Sequence, residues 1–89
     1  ALVHHLTITH DISFDQLAEQ LAKMGKYLII EFPQRDDEKV LIIAQGKPNQ
    51  YQNYHQENFE SAFNQFYQLK SLQNVNGNGR LLYCYERKS

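Results

Sequence analysis

A capped helix that runs almost directly into an apolar strand constrains this chain more than any other feature. Ser13-Phe14-Asp15-Gln16 reads as a capping box: the Ser13 hydroxyl can accept from the amide three residues on, and the Gln16 side chain can reach back. Phe14, Leu17, Ala18, Leu21 and Ala22 then recur at the spacing of one helix face. Lys23 suits the negative end of a helix, and Gly25 stands where a left-handed cap is wanted. These signals predict a helix over 13–24. Tyr27-Leu28-Ile29-Ile30-Glu31-Phe32 follows at once and is closed by Pro33. Its near-continuous apolarity predicts a strand covered on both faces, as in a parallel sheet. Helix, tight turn and buried strand make the second half of a βαβ unit, whose first strand would end near Ala1–His4.

The rest of the chain is read the same way. Val40-Leu41-Ile42-Ile43-Ala44 leans to strand by propensity, while Asp36-Asp37-Glu38 before it would equally suit the first turn of a helix. The stretch 45–78 is dense in Gln and Asn, which suggests low complexity, but its aromatics argue otherwise. Phe59, Ala62, Phe63 and Phe66 fall on one helical face and predict a docked helix at 56–66 after a loop over 47–55. Tyr67 to Val75 and Arg80 to Glu86 read as strands around the turn signal Asn76-Gly77-Asn78-Gly79.

Charge and cysteine content exclude several function classes. Nine basic side chains oppose ten acidic ones, so no electrostatic footprint for nucleic acid is present. No apolar run approaches the roughly 20 residues of a spanning helix. Cys84 is the one cysteine, which excludes an internal disulfide and a cysteine-rich metal site, and points to a reducing, cytoplasmic compartment. Eighty-nine residues suit one small domain, or a fragment of one. The chain opens Ala1-Leu2-Val3 without a methionine, which raises the expectation of a piece of a longer protein.

Several stretches together resemble the S-adenosylmethionine-dependent methyltransferases of Rossmann-like fold. They are Ala1-Leu2-Val3-His4-His5-Leu6 with the capped helix, then Leu28-Ile29-Ile30-Glu31-Phe32. The acidic Asp36-Asp37-Glu38-Lys39-Val40, the helix start Tyr54-His55-Gln56-Glu57-Asn58-Phe59, and Arg80-Leu81-Leu82-Tyr83-Cys84-Tyr85-Glu86-Arg87 complete the set. The resemblance implies an α/β chain with a partial methyltransferase fold: the end of strand four, a helix, strand five, a short helix over 39–45, a further helix and an antiparallel C-terminal hairpin. It implies that the last strand lies between the other two, antiparallel to both, and that Leu6–His10 is a turn. A ferredoxin-like βαββαβ module is the alternative if Val40–Ala44 is a strand. It would be a non-catalytic interaction or regulatory domain.

The family's glycine-rich cofactor loop is missing, because none of Gly25, Gly46, Gly77 and Gly79 opens a helix after a strand. The resemblance therefore implies the C-terminal, acceptor-side part of an enzyme. S-adenosylmethionine would be the cofactor of the parent, and none is expected to bind this chain alone. His4 is the implied general base, and His5, Glu31 and Tyr54 the implied acceptor contacts. Tyr51 would lie in the loop that closes over the acceptor.

Blander readings stand beside these. The histidines can line the cleft without chemistry, Glu31 can pair with Arg35 or a lysine, and Cys84 can be a small core residue. His5-Leu6-Thr7-Ile8 matches one H-x-T-φ element of two-histidine phosphoesterases, but His55-Gln56-Glu57 does not supply the second. His4, His5 and His10 do not make a zinc site, because adjacent histidines on an extended segment point to opposite faces. A fragment of this kind is expected to self-associate through the bare flank of strand 27–32 or a partly bare Phe14, Leu17 or Leu21.

Overall fold

A computed structural model describes residues 3–75 and 80–88. The chain is α/β, with a three-stranded antiparallel sheet and helices packed on one of its faces. The elements are α1 (Phe14–Ala22), β1 (Tyr27–Pro33), α2 (Glu38–Ala44), α3 (Pro48–Asn53), α4 (Gln56–Asn64), β2 (Tyr67–Val75) and β3 (Arg80–Arg87). A π-helical turn, His5–Thr9, precedes them. The turn signal at 76–79 lies outside the described residues.

The local signals act largely as expected at α1. Ser13 Oγ accepts from the Gln16 amide and Gln16 Oε1 accepts from the Ser13 amide, both at 3.1 Å. The left-handed cap is not at Gly25, however, since the C-cap of α1 is Lys23 in right-handed geometry. It falls instead at Gly46, with φ 77°, just after α2. Residues 38–44 are helical because Asp37 caps them, its carboxylate accepting from Lys39 N at 2.9 Å. That removes the ferredoxin-like alternative, which needed a strand there. The expected loop over 47–55 contains α3, which starts with Pro48 in the first turn.

The sheet order is β1-β3-β2, with β3 antiparallel to both neighbours, as the resemblance implied. Ile30 faces Tyr83 and Phe32 faces Leu81 across the first pair, while Tyr67 faces Arg87 at the start of the second. Leu28, Ile30 and Phe32 point to the helices, together with Leu81, Tyr83 and Tyr85. Alternation then puts Tyr27, Ile29, Leu82 and Cys84 on the opposite face. Tyr27 is 70% exposed and Ile29 71%. So β1 is not covered on both faces, and its pairing is antiparallel rather than parallel. Cys84 is half-buried on this open face, not in the core with the tyrosines.

The core between sheet and helices is aromatic. Phe59 and Phe63 of α4 are fully buried, with Phe66 half-buried beside them. Phe59 lies 4.9 Å from the Tyr83 ring, and Phe63 stacks on Tyr85 at 5.6 Å. Phe14 meets Phe59 edge-on at 5.6 Å, which locks α1 to α4. Phe14, Leu17, Ala18 and Ala22 are consequently buried within the chain, and only Leu21 of that face is partly open. The expected bare face of this helix is therefore absent. The expected strand stub is also absent among the described residues: Val3 and His4 are helical and lead into the π turn. Thr7 Oγ1 donates to Val3 O at 2.9 Å, a local bond that favours the coiled path over extension.

Candidate functional site

Residues from four segments meet where β1 ends. Arg80, first in β3, stands opposite Pro33. Its Nη1 donates to Glu31 Oε1 at 2.8 Å, its Nε to Asp37 Oδ2 at 3.0 Å, and its Nη2 to Asp37 Oδ1 at 3.4 Å. One guanidinium thus ties the end of β1 to the cap of α2 and the start of β3. Burial alone would raise the Asp37 carboxyl, but hydrogen bonds from Arg80 and the Lys39 amide hold it below its ordinary value. Glu31 pairs with Arg80, not with Arg35 or a lysine, so it is committed within the fold.

His4 lies near this ion pair. It is 2% exposed, and neither ring nitrogen has a hydrogen-bond partner among the described residues. Burial lowers its pKa to about 4, and the neighbouring His5 and Arg80 push the same way, against Asp37. The ring is therefore neutral at physiological pH and able to accept a hydrogen bond. It is a weaker base than the near-neutral histidine expected from the sequence. His5 is exposed, with its ring 4.3 Å from that of His4. The two rings are tilted by 36° to each other in a helical segment, not opposed on an extended one. No group of three His, Cys, Asp or Glu able to hold a metal occurs among the described residues.

Tyr54 is 1% exposed, and its hydroxyl donates to Pro33 O at 2.5 Å. Its ring stacks on Phe32 at 4.9 Å. Burial pushes its pKa far up, so the hydroxyl stays protonated. Tyr54 therefore acts as a pillar between β1 and Phe14 of α1, 5.8 Å away, not as an open platform for an acceptor. Tyr51 is similarly engaged: the Arg35 guanidinium lies 4.1 Å over its ring, and its hydroxyl donates to Arg35 O at 3.1 Å. Arg35 Nη1 also approaches both His55 nitrogens, at 3.5 and 3.3 Å. Sequence reading missed these two anchors, Asp37–Arg80 and Arg35–Tyr51. Asp37 stood in the acidic loop and Arg80 opened the last strand, but nothing local linked them.

Gly25 follows α1 and Gly46 follows α2, so neither sits in a turn between a strand and a helix, where backbone amides face a cofactor.

The nodulation protein NoeA of Rhizobium meliloti (strain 1021) is 30% identical to this chain over 87 residues, or 98% of the chain. The chain spans only 18% of that protein's length. No family model matches the chain, and no solved structure matches it. Among the described residues, no helix is long and apolar enough to cross a membrane.

Proposed function

We propose that this chain is the C-terminal part of an S-adenosylmethionine-dependent methyltransferase domain of Rossmann-like fold, contributing the acceptor side of the cleft. The observation that carries the reading is the sheet order β1-β3-β2, with the last strand inserted antiparallel between the other two. The elements run helix, strand, three helices and a hairpin, which matches the plan apart from the additional α3 and the helical rather than extended start at Val3 and His4. Among the described residues β1 is paired on one side only, and that flank, with the exposed Tyr27 and Ile29, supports a further strand and covering helices contributed by another part of the polypeptide.

His4 is the candidate whose polar atoms are left uncommitted among the described residues. Its ring is held neutral but buried, so it receives a hydrogen bond from an acceptor hydroxyl or amine only when the turn over His5–Thr9 moves aside. Its low basicity limits how far it takes the proton. Asp37 and Arg80 hold α2 and β1 in place around it. Methyl transfer belongs to the longer polypeptide, and a cytoplasmic setting is part of the same proposal.

Calorimetry with S-adenosylmethionine tests this. The chain of 89 residues should not bind, whereas the natural polypeptide that carries it should bind at about micromolar concentration. That polypeptide should also transfer a labelled methyl group, and His4→Ala should slow transfer without changing cofactor affinity. Micromolar binding to the chain alone, or none to the natural polypeptide, would overturn the reading.

One observation favours a second reading. Phe14 and Leu17 are covered within the chain, so these residues close a core of their own. An autonomous, non-catalytic α/β interaction domain would do the same. Absence of cofactor binding and methyl transfer in the natural polypeptide would support it.

A further inference from the structure

A cleft of about 430 Å³ lies between the start of α1, the end of α3 and the outer side of α4. Beneath it lie the buried Phe14, Tyr54 and Ala62. Its walls carry the carboxylates of Asp11 and Asp15, the carboxamides of Gln50, Asn53 and Asn58, and the hydroxyl of Ser61. No lysine or arginine lines it. Neither His4 nor His5 lines it, and Tyr54 is the residue it shares with the end of β1.

Two further features set the shape of the rim. Asp11 has φ 55°, the one non-glycine position among the described residues in the left-handed region, a geometry that aspartate tolerates in turns. The walls are also held in place. Gln65 Nε2 donates to Asp15 Oδ1 at 3.0 Å, and Asn58 Nδ2 donates to Asn53 O at 2.9 Å. These bonds orient Asp15 and Asn58 while leaving the second Asp15 oxygen and Asn58 Oδ1 for other partners.

We propose that the cleft binds a neutral, polyhydroxylated small molecule such as a saccharide or other polyol. Hydroxyl groups donate and accept at once, which matches carboxamides interleaved with carboxylates. Two carboxylates without a cation repel phosphates and carboxylic acids. The volume falls in the range of small-molecule sites, roughly 300–1,000 Å³. The proposal concerns binding alone and does not depend on methyl transfer.

Saturation-transfer NMR on the 89-residue chain tests it, with a panel of neutral hexoses, disaccharides and polyols, and with glucose 6-phosphate and spermidine as charged arms. At least one neutral member should bind more tightly than about 10 mM. Its amide shifts should centre on Asp11, Gln50, Asn53 and Ser61. Gln50→Ala and Asp11→Asn, each giving a native amide spectrum, should weaken binding about tenfold. Binding by no neutral member, tighter binding of either charged arm, shifts elsewhere, or undiminished affinity in both variants would each overturn the proposal.

Discussion

Arg80 and Asp37 are joined by two hydrogen bonds across 43 residues of chain, from Nε to Oδ2 at 3.0 Å and from Nη2 to Oδ1 at 3.4 Å. The Asp37 side chain is 8% exposed and that of Arg80 19%. Asp37 also caps α2. One carboxylate therefore serves a helix terminus and a strand terminus together. Asp37→Ala should cost about 2–3 kcal/mol in unfolding free energy, because it removes the cap and leaves part of the guanidinium without its partner. Glu31→Gln, at the more exposed end of the same cluster, should cost less than about 1 kcal/mol. Chemical denaturation of both variants checks the ranking, and equal costs would mean that Asp37 is not the anchor.

His4 should make the fold sensitive to mild acid. Its folded pKa, about 4, lies below the unfolded value of 6.5. Between these values the unfolded chain takes up a proton that the folded chain does not, so stability falls as pH drops through that window. The loss should reach about 3 kcal/mol near pH 4. Asp37, also held low, adds its own loss only below its ordinary value of 3.8. Urea denaturation across pH 4 to 7 should show the slope in the native chain and its disappearance in His4→Leu. An unchanged slope in that variant would assign the acid sensitivity to another group.

Phe63 is fully buried between Tyr67 and Tyr85, at ring distances of 6.0 and 5.6 Å. Phe63→Ala should cost about 3–5 kcal/mol. That is comparable to the whole stability of a small domain, so the variant should lose cooperative unfolding altogether. Phe63→Leu keeps most of the volume and should remain folded with a lower melting temperature. A loss below about 1 kcal/mol in Phe63→Ala would contradict the packing described.

Among the described strands, β1 is bonded only to β3, and its outer residue Ile29 is 71% exposed. An apolar edge of this kind recruits other chains. Sedimentation at roughly tens of micromolar should show self-association, and Ile29→Lys should return the chain to a monomer. A monomeric native chain would show that the edge is protected by its own twist and flanks.

Gly25 need not be glycine. A β-carbon there would meet Tyr27 O at 3.9 Å, ordinary contact, and the residue is not at positive φ. Gly25→Ala should change stability by less than about 1 kcal/mol, whereas Gly46→Ala, at φ 77°, should destabilise by about 1 kcal/mol or more. Thermal melts of the two variants distinguish them. A larger loss at Gly25 would restore it as the cap.

What the sequence by itself determined is local and periodic. The capping box of α1, the apolar spacing of Phe59, Ala62 and Phe63, and both strands of the hairpin are written in neighbouring residues, because helix caps and side-chain periodicity depend on contacts a few positions apart. The short helix α2 and the position of β3 between β1 and β2 were reached through the resemblance, since propensity alone favoured a strand at Val40–Ala44. Only the tertiary structure decided which glycine takes the left-handed turn, which face of β1 is bare, and that Cys84 turns away from the tyrosines. Only it brought Asp37 to Arg80 and Arg35 to Tyr51, and left His4 buried with no hydrogen-bond partner among the described residues. Those features depend on which surfaces meet. Burial and charge pairing are set by contacts between residues far apart in the chain, and no periodicity in the sequence encodes them.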